Sequence, residues 1–314
     1  MSVRGGLRFW LALAALAVPS ARPQRAAPQT PAWHVSVDLV PVYVSVLDDH
    51  GQPVSGLPAG AFEVFDQARR QRIQLFDPAE RQALDLVLLL DRSLSTTGEW
   101  EFERRAAERF LERVLRPGDE AAVFAFAEEV TELSGFTGDL RHLHAALRRA
   151  HGGSGTSLFD ALYLGAQALR ERQPGRRRVM VVVTDAGETT SRVSFEQARD
   201  ATADAGALLY TVLVRPVKSE SGRNTAGEHA LEAIAEVSGG TLYTVDTAAQ
   251  FDPTFDRIEA ELHTQYLLAY APDPPPAPGS YRHIEVRLAP GYGGLGWTVR
   301  ARAGYFAHRE AAHP

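Results

Sequence analysis

No cysteine occurs in the 314 residues. That removes a disulfide framework, a thiolate zinc site, a cysteine nucleophile and lipid attachment at an N-terminal cysteine. Basic charge is not in excess either. The 33 Lys and Arg stand against 39 Asp and Glu, a net charge of -6, so no global field draws nucleic acid or anionic lipid. The short clusters Arg104-Arg105 and Arg176-Arg177-Arg178 read as solvated helix faces or loops. Long apolar runs are missing as well. The run Phe9 to Val18 falls short of the roughly 20 residues that cross a bilayer, and Leu84 to Leu90 has only strand length, so no stable membrane span is expected.

What is present is the composition of a globular protein, 45% hydrophobic and 23% charged. The beginning has the order of a secretory signal. Arg4 and Arg8 precede the apolar run, and Pro19-Ser20-Ala21 supplies small residues at a cut. Residues 1–21 are therefore expected to be removed on export to the periplasm or beyond. Residues 22–32, rich in Pro, Ala and Gln, read as a linker.

Period-two alternation then takes over between His34 and Leu47, followed by a turn at Asp48 to Pro53. Phe62 to Phe65 and Ile73 to Phe76 predict two more strands around an Arg-rich turn. Residues 33–80 thus form an N-terminal β module. From Leu84 the rhythm changes to strand and helix in alternation. Leu84 to Leu90 is nearly continuous apolar, as a parallel strand covered on both faces requires. Its helix carries Phe102, Ala106, Phe110 and Val114 at four-residue spacing, and Pro117-Gly118 stops it. Asp139 is placed to cap a later helix, and Thr156 or Ser157 another. Val179 to Val183 is a second buried strand, Ala207 to Val214 a third, and Arg215 to Gly227 a polar loop.

Repeated βα units imply an α/β fold: a doubly wound, mainly parallel sheet with helices on both faces, over residues 83–263. Strand patterning returns in 265–308, at Gln265 to Ala271, Tyr281 to Leu288 and Thr298 to Phe306. This C-terminal segment is expected to pack with the N-terminal β module.

In an open parallel sheet the functional crevice lies beyond the carboxyl ends of the strands. Three polar clusters fall there: Asp91-Arg92-Ser93-Leu94-Ser95, Thr156 behind the glycines at 152, 153 and 155, and Asp185. In an extended turn Asp91, Ser93 and Ser95 converge on one side. Two carboxylates and three hydroxyls form a hard oxygen set that suits magnesium or manganese. Without a cation the two acids would repel each other.

The Asp-x-Ser-x-Ser at 91 to 95, the Thr at 156 and the Thr-Asp at 184 to 185 resemble the metal-ion-dependent adhesion site of von Willebrand factor type A domains. The flanking pieces resemble a bacterial subfamily of secreted proteins related to those domains. They are the β segment Val37 to Phe76, the Tyr-x-Leu-x-Tyr at 266 to 270 and the Gly-Tyr-Phe at 304 to 306. The resemblance implies a Rossmann-like fold, a metal held by Asp91, Ser93, Ser95, Thr156 and Asp185, and a protein partner that completes the coordination with an acidic group. One departure stands out: the family usually has Gly after the third-motif Asp, and here it is Ala186. If that position needs a positive φ, alanine is strained there, unless Gly187 makes the turn.

Rival chemistries find less. The loop from Gly152 to Ser157 has no P-loop lysine and misses the final glycine of a nucleophile elbow. His142 and His144 are two apart and share no helix face, while Glu128, Glu129 and Glu188 read as solvated. Two alternatives to the binding role stay open: a hydrolase using the same ion to activate water, and an assembly or maturation factor for an envelope complex.

Overall fold

A computed structural model describes residues 39–93, 100–215 and 224–307. The expected signal at 1–21, the linker at 22–32, Ser95 and most of the polar loop after Arg215 lie outside the described residues.

The α/β unit opens with β5 (Leu84–Asp91), in which every residue is buried. Alternation sends Leu84, Leu86, Leu88 and Leu90 to one face. That face packs on α1 (Trp100–Val114) and α6 (Phe251–Thr264). Val87 and Leu89 point to the other face, which carries α3 (Leu158–Arg170), α4 (Phe195–Ala205) and α5 (Thr225–Ser238). Each fully buried Leu or Val contributes about 1.5–3 kcal/mol, which explains why a strand with so little polar character occupies the centre. The remaining strands are β6 (Glu120–Phe126), β7 (Val130–Thr137), β8 (Arg177–Thr184), β9 (Leu208–Val214) and β10 (Thr241–Val245). The sheet order is β10-β9-β8-β5-β6-β7. All pairings are parallel except β6 with β7, an antiparallel hairpin on the edge. Among the described residues no helix is long and apolar enough to cross a membrane.

Around this unit, β1 (Val40–Leu47), β2 (Phe62–Asp66), β3 (Arg69–Gln71) and β4 (Ile73–Pro78) precede it, and β11 (Tyr266–Tyr270), β12 (Tyr281–Leu288), β13 (Thr298–Ala301) and β14 (Gly304–Phe306) follow. They interleave into two antiparallel four-stranded sheets, β13-β1-β11-β4 and β14-β12-β2-β3. The two share one core that includes Val42, Val44, Val64, Leu268 and Tyr270. The Tyr270 and Tyr305 hydroxyls both donate to the buried Asp66 Oδ2, at 2.9 and 3.2 Å, and Arg282 Nε donates to Oδ1 at 2.7 Å. The two tyrosine motifs therefore close one cluster between the sheets.

Several local expectations are corrected. Arg69 to Gln71 is itself a strand, because Gln67 and Ala68 both take left-handed φ (50° and 61°) and turn the chain without glycine. The stretch from Thr298 to Phe306 is not one strand. At Ala303 the backbone donates to Val237 O (2.9 Å), and β13 and β14 then join different sheets. Phe102 is 58% exposed, since a four-residue step drifts roughly 40° per repeat on a 3.6-residue helix, and Glu103 takes the inner place. Arg177 is no solvated residue. It starts β8 almost fully buried and donates to Leu262 O, while Arg176 pairs with the buried Asp85.

Candidate metal centre

The chain leaves β5 toward β6 on one side, while β8, β9 and β10 fill the other. The crevice between the carboxyl ends of β5 and β8 is thus the switch point where such sheets hold ligands. Asp91, the last residue of β5, is 1% exposed. Its Oδ1 accepts the Ser93 amide (2.9 Å) and its Oδ2 accepts the Thr184 hydroxyl (2.6 Å). Burial pushes the Asp91 carboxyl up to about 6; the bonds from Thr184 and Ser93 work against that rise, and the charge of Asp185 adds to it.

Ser93 is buried, and its backbone forms an isolated bridge with Gly153, whose amide donates to Arg92 O (3.0 Å). The first motif and the glycine loop are therefore stitched together. Glycine is required at 153 because a Cβ there would lie 2.8 Å from the Ala127 Cβ. Arg92 stacks on Trp100, 3.8 Å from its ring centre.

Thr156 is buried, 5% exposed, and Asp185 is half-buried one residue beyond β8. A Cβ placed on Gly187 would lie 3.1 Å from Asp185 Oδ1 and 3.2 Å from Thr156 Oγ1. Acid and hydroxyl thus approach one point beside the Gly187 backbone, where a Cβ would be tightly placed. The Gly187 amide also donates to Asp185 Oδ1 (3.0 Å). The donors are hard oxygens, a set whose chemistry fits a small divalent cation. Among the described residues no group of three or more His, Asp or Glu suits a metal, so any centre here has to lean on hydroxyls. The structure brings Asp91, Ser93, Thr156 and Asp185 to this crest; Ser95 lies outside the described residues.

Ala186 adopts φ 63° and is fully buried. The left-handed turn expected of a glycine is made by alanine, and Gly187 does not take it over. The Ala186 amide donates to Thr184 Oγ1 (3.0 Å), so Thr184 connects this turn to Asp91.

Sequence reasoning missed the segment after Asp185. Ser157 is the N-cap residue of α3, yet its side chain makes no capping bond. The Phe159 amide is instead accepted by Glu188 Oε2 (3.1 Å) and Ser191 Oγ (3.0 Å). Glu188 is therefore half-buried and engaged, not solvated. These pairings cross about thirty residues of chain, and only the strand-end position of Thr184 could have been singled out beforehand.

An open, mainly parallel sheet with its polar crest at the ends of two central strands defines a Rossmann-like α/β module. Residues 86–188, within the α/β unit, match the family model of the von Willebrand factor type A domain, and the fold of that unit is consistent with such a domain. Similar solved structures include a von Willebrand factor type A protein from Catenulispora acidiphila, 12% identical, covering 88% of this chain and 76% of that one with a TM-score of 0.50. Proximal thread matrix protein 1 from the mussel byssus is 14% identical and covers 63% of this chain and 49% of that one, also at 0.50. At such identities the likeness concerns the fold. No curated protein sequence matches the chain.

Proposed function

We propose that the chain is a metal-dependent protein-binding module of an exported protein. Magnesium or manganese would be held by Asp91, Ser93, Thr156 and Asp185, with Ser95 as the fifth donor. When bound, the ion supplies positive charge and a coordination position that an acidic group of a partner protein completes. The observation that carries this reading is the meeting of Asp185 Oδ1 and Thr156 Oγ1 at the bare Gly187, beside the buried Asp91.

The chain's own residues prepare that position. Ser93 and Thr184 hold both oxygens of Asp91, and the Gly187 amide holds Asp185. The acids are thereby oriented before any ligand arrives, which lowers the ordering entropy lost on binding. Export rests on Arg4, Arg8 and the apolar run to Val18. The intact mass of the protein from its native envelope should lack about the first 20 residues.

Titrating magnesium or manganese chloride into the full chain while following its melting temperature tests the metal reading. A saturable rise that disappears in Asp91→Ala and in Asp185→Ala supports it. No rise, or the same rise in both variants, removes it.

A further inference from the structure

Thr156 sits in a loop with no regular structure of its own, yet its backbone is fastened on both sides. Its amide donates to Thr189 Oγ1 (2.9 Å). Its carbonyl accepts the amides of Thr189 (2.9 Å) and Thr190 (3.2 Å). One residue on, the Ser157 amide donates to Ala127 O (2.7 Å). Two residues further, Glu188 and Ser191 cap the first turn of α3 in place of the silent Ser157 hydroxyl. Glu188 is itself locked, since Ser191 donates its amide (2.9 Å) and its hydroxyl (2.6 Å) to it.

Apart from the bond to Ala127, these contacts come from residues 188–191, which closely follow the Asp185 turn. The loop bearing Thr156 and the loop bearing Asp185 are thus one hydrogen-bonded body, although Asp185 lies 29 positions after Thr156 in the chain. In this body the only side chain that fixes the peptide of Thr156 is that of Thr189, among the described residues.

We infer that Thr189 is a positioning residue for the metal site: its hydroxyl sets the distance of Thr156 Oγ1 from Asp185. The inference rests on the proposed metal reading. Without that acceptor the Thr156 amide, at a part-buried position, has to find another partner, and it does so by moving or by taking water. Even a small displacement carries Oγ1 away from the point it shares with Asp185 Oδ1. The neighbouring Thr190 hydroxyl does not serve this amide: it donates to Glu128 O at long range (3.5 Å).

The experiment is manganese binding to the full chain, read by the loss of the free-ion electron paramagnetic resonance signal. Wild type is compared with Thr189→Val, Thr189→Ala, Thr189→Ser, Thr190→Val and Asp185→Ala, with the melting temperature of each measured in chelator. Thr189→Val and Thr189→Ala are expected to weaken manganese binding by up to about tenfold, the worth of one hydrogen bond. Thr189→Ser and Thr190→Val should bind as wild type does. A merely structural Thr189 would lower the melting temperature in chelator and leave manganese affinity unchanged; that result overturns the inference, and loss of binding in Asp185→Ala alongside it shows the metal reading standing. Wild type without saturable manganese binding overturns the metal reading, and the positioning role with it.

Discussion

Ala186 and Gly227 are fitted to each other across the top of the sheet: a Cβ on Gly227 would lie 2.1 Å from the Ala186 carbonyl oxygen. Gly227 is in the first turn of α5, whose Asn224 cap accepts its amide (3.0 Å). The helix therefore begins directly against the strained turn that follows Asp185. Replacing Gly227 by alanine forces that backbone contact apart. We expect Gly227→Ala to destabilise the chain by about 1–3 kcal/mol, the usual range for overpacking, measured by urea unfolding.

Ala186→Gly has the opposite balance. Left-handed φ strains alanine by about 1–2 kcal/mol. Against that relief stand about 0.4–1 kcal/mol of extra unfolded-state entropy for glycine and about 0.8 kcal/mol for the lost buried methyl. The terms nearly cancel, so Ala186→Gly should change stability by less than about 1 kcal/mol. A large loss in urea unfolding would show that the methyl is a packing element and not a tolerated departure.

The buried Asp66 supplies a prediction for the sandwich. It accepts Tyr270, Tyr305 and Arg282 at once, and the Arg282 side chain is only 11% exposed. Asp66→Ala leaves that guanidinium without its counter-charge and should destabilise by about 3–5 kcal/mol. Tyr270→Phe and Tyr305→Phe each remove one donor and should cost about 1 kcal/mol. Equal losses for all three variants would mean that the charge of Arg282 is not what makes the cluster sensitive.

A second buried acid joins the sandwich to the α/β unit. Glu261 of α6 accepts Ser45 Oγ of β1 (2.7 Å) and Tyr210 OH of β9 (2.8 Å) on Oε1, and Oε2 takes Arg300 of β13. Glu261→Ala should therefore lower hydrogen-exchange protection in β1 and in β9 together. Loss confined to one side would show that the two parts open independently.

These contacts mark where the sequence is readable and where it is not. The strand Leu84 to Asp91 and the Asp-x-Ser-x-Ser that ends it are local patterns, and apolar continuity followed by polar spacing announces them. Asp185 is singled out for the same reason, next to the end of β8, and Thr156 by the glycines before it at the start of a patterned helix. The link made by Thr189 is not, because its bond reaches a residue 33 positions away, and a Thr-Thr pair in a loop carries no periodicity. The break at Ala303 was hidden likewise, since only the α5 carbonyl it meets interrupts an otherwise plausible strand. Arg177 was misread because charge suggested water, while burial came from the docking of α6 over the start of β8. Local chemistry announces elements and motifs; which elements meet is decided by the packing of the whole.

Partner binding is the last prediction. Asp91 and Asp185 carry two negative charges if both are ionised, and the hydroxyls of Ser93, Ser95 and Thr156 carry none. A divalent ion coordinated directly by both acids is roughly neutralised and attracts a further anion weakly. The two acids of this site are not equivalent, however: Asp91 is buried with both oxygens engaged by Ser93 and Thr184, whereas Asp185 is half-buried with Oδ1 engaged by Gly187. An acid whose two oxygens each already accept a hydrogen bond offers a weaker direct ligand, which leaves positive charge for a partner carboxylate. Such a charge-assisted contact at a partly dry interface is worth a few kcal/mol. Chelation should therefore weaken capture of an envelope partner by about a hundredfold, and Ser93→Ala combined with Ser95→Ala should mimic the chelator. Single replacement of the partner's interface Asp and Glu residues should identify one whose loss equals the effect of chelator. Capture that survives every such replacement, or that ignores chelator, would mean that the polar crest serves the fold and not a ligand.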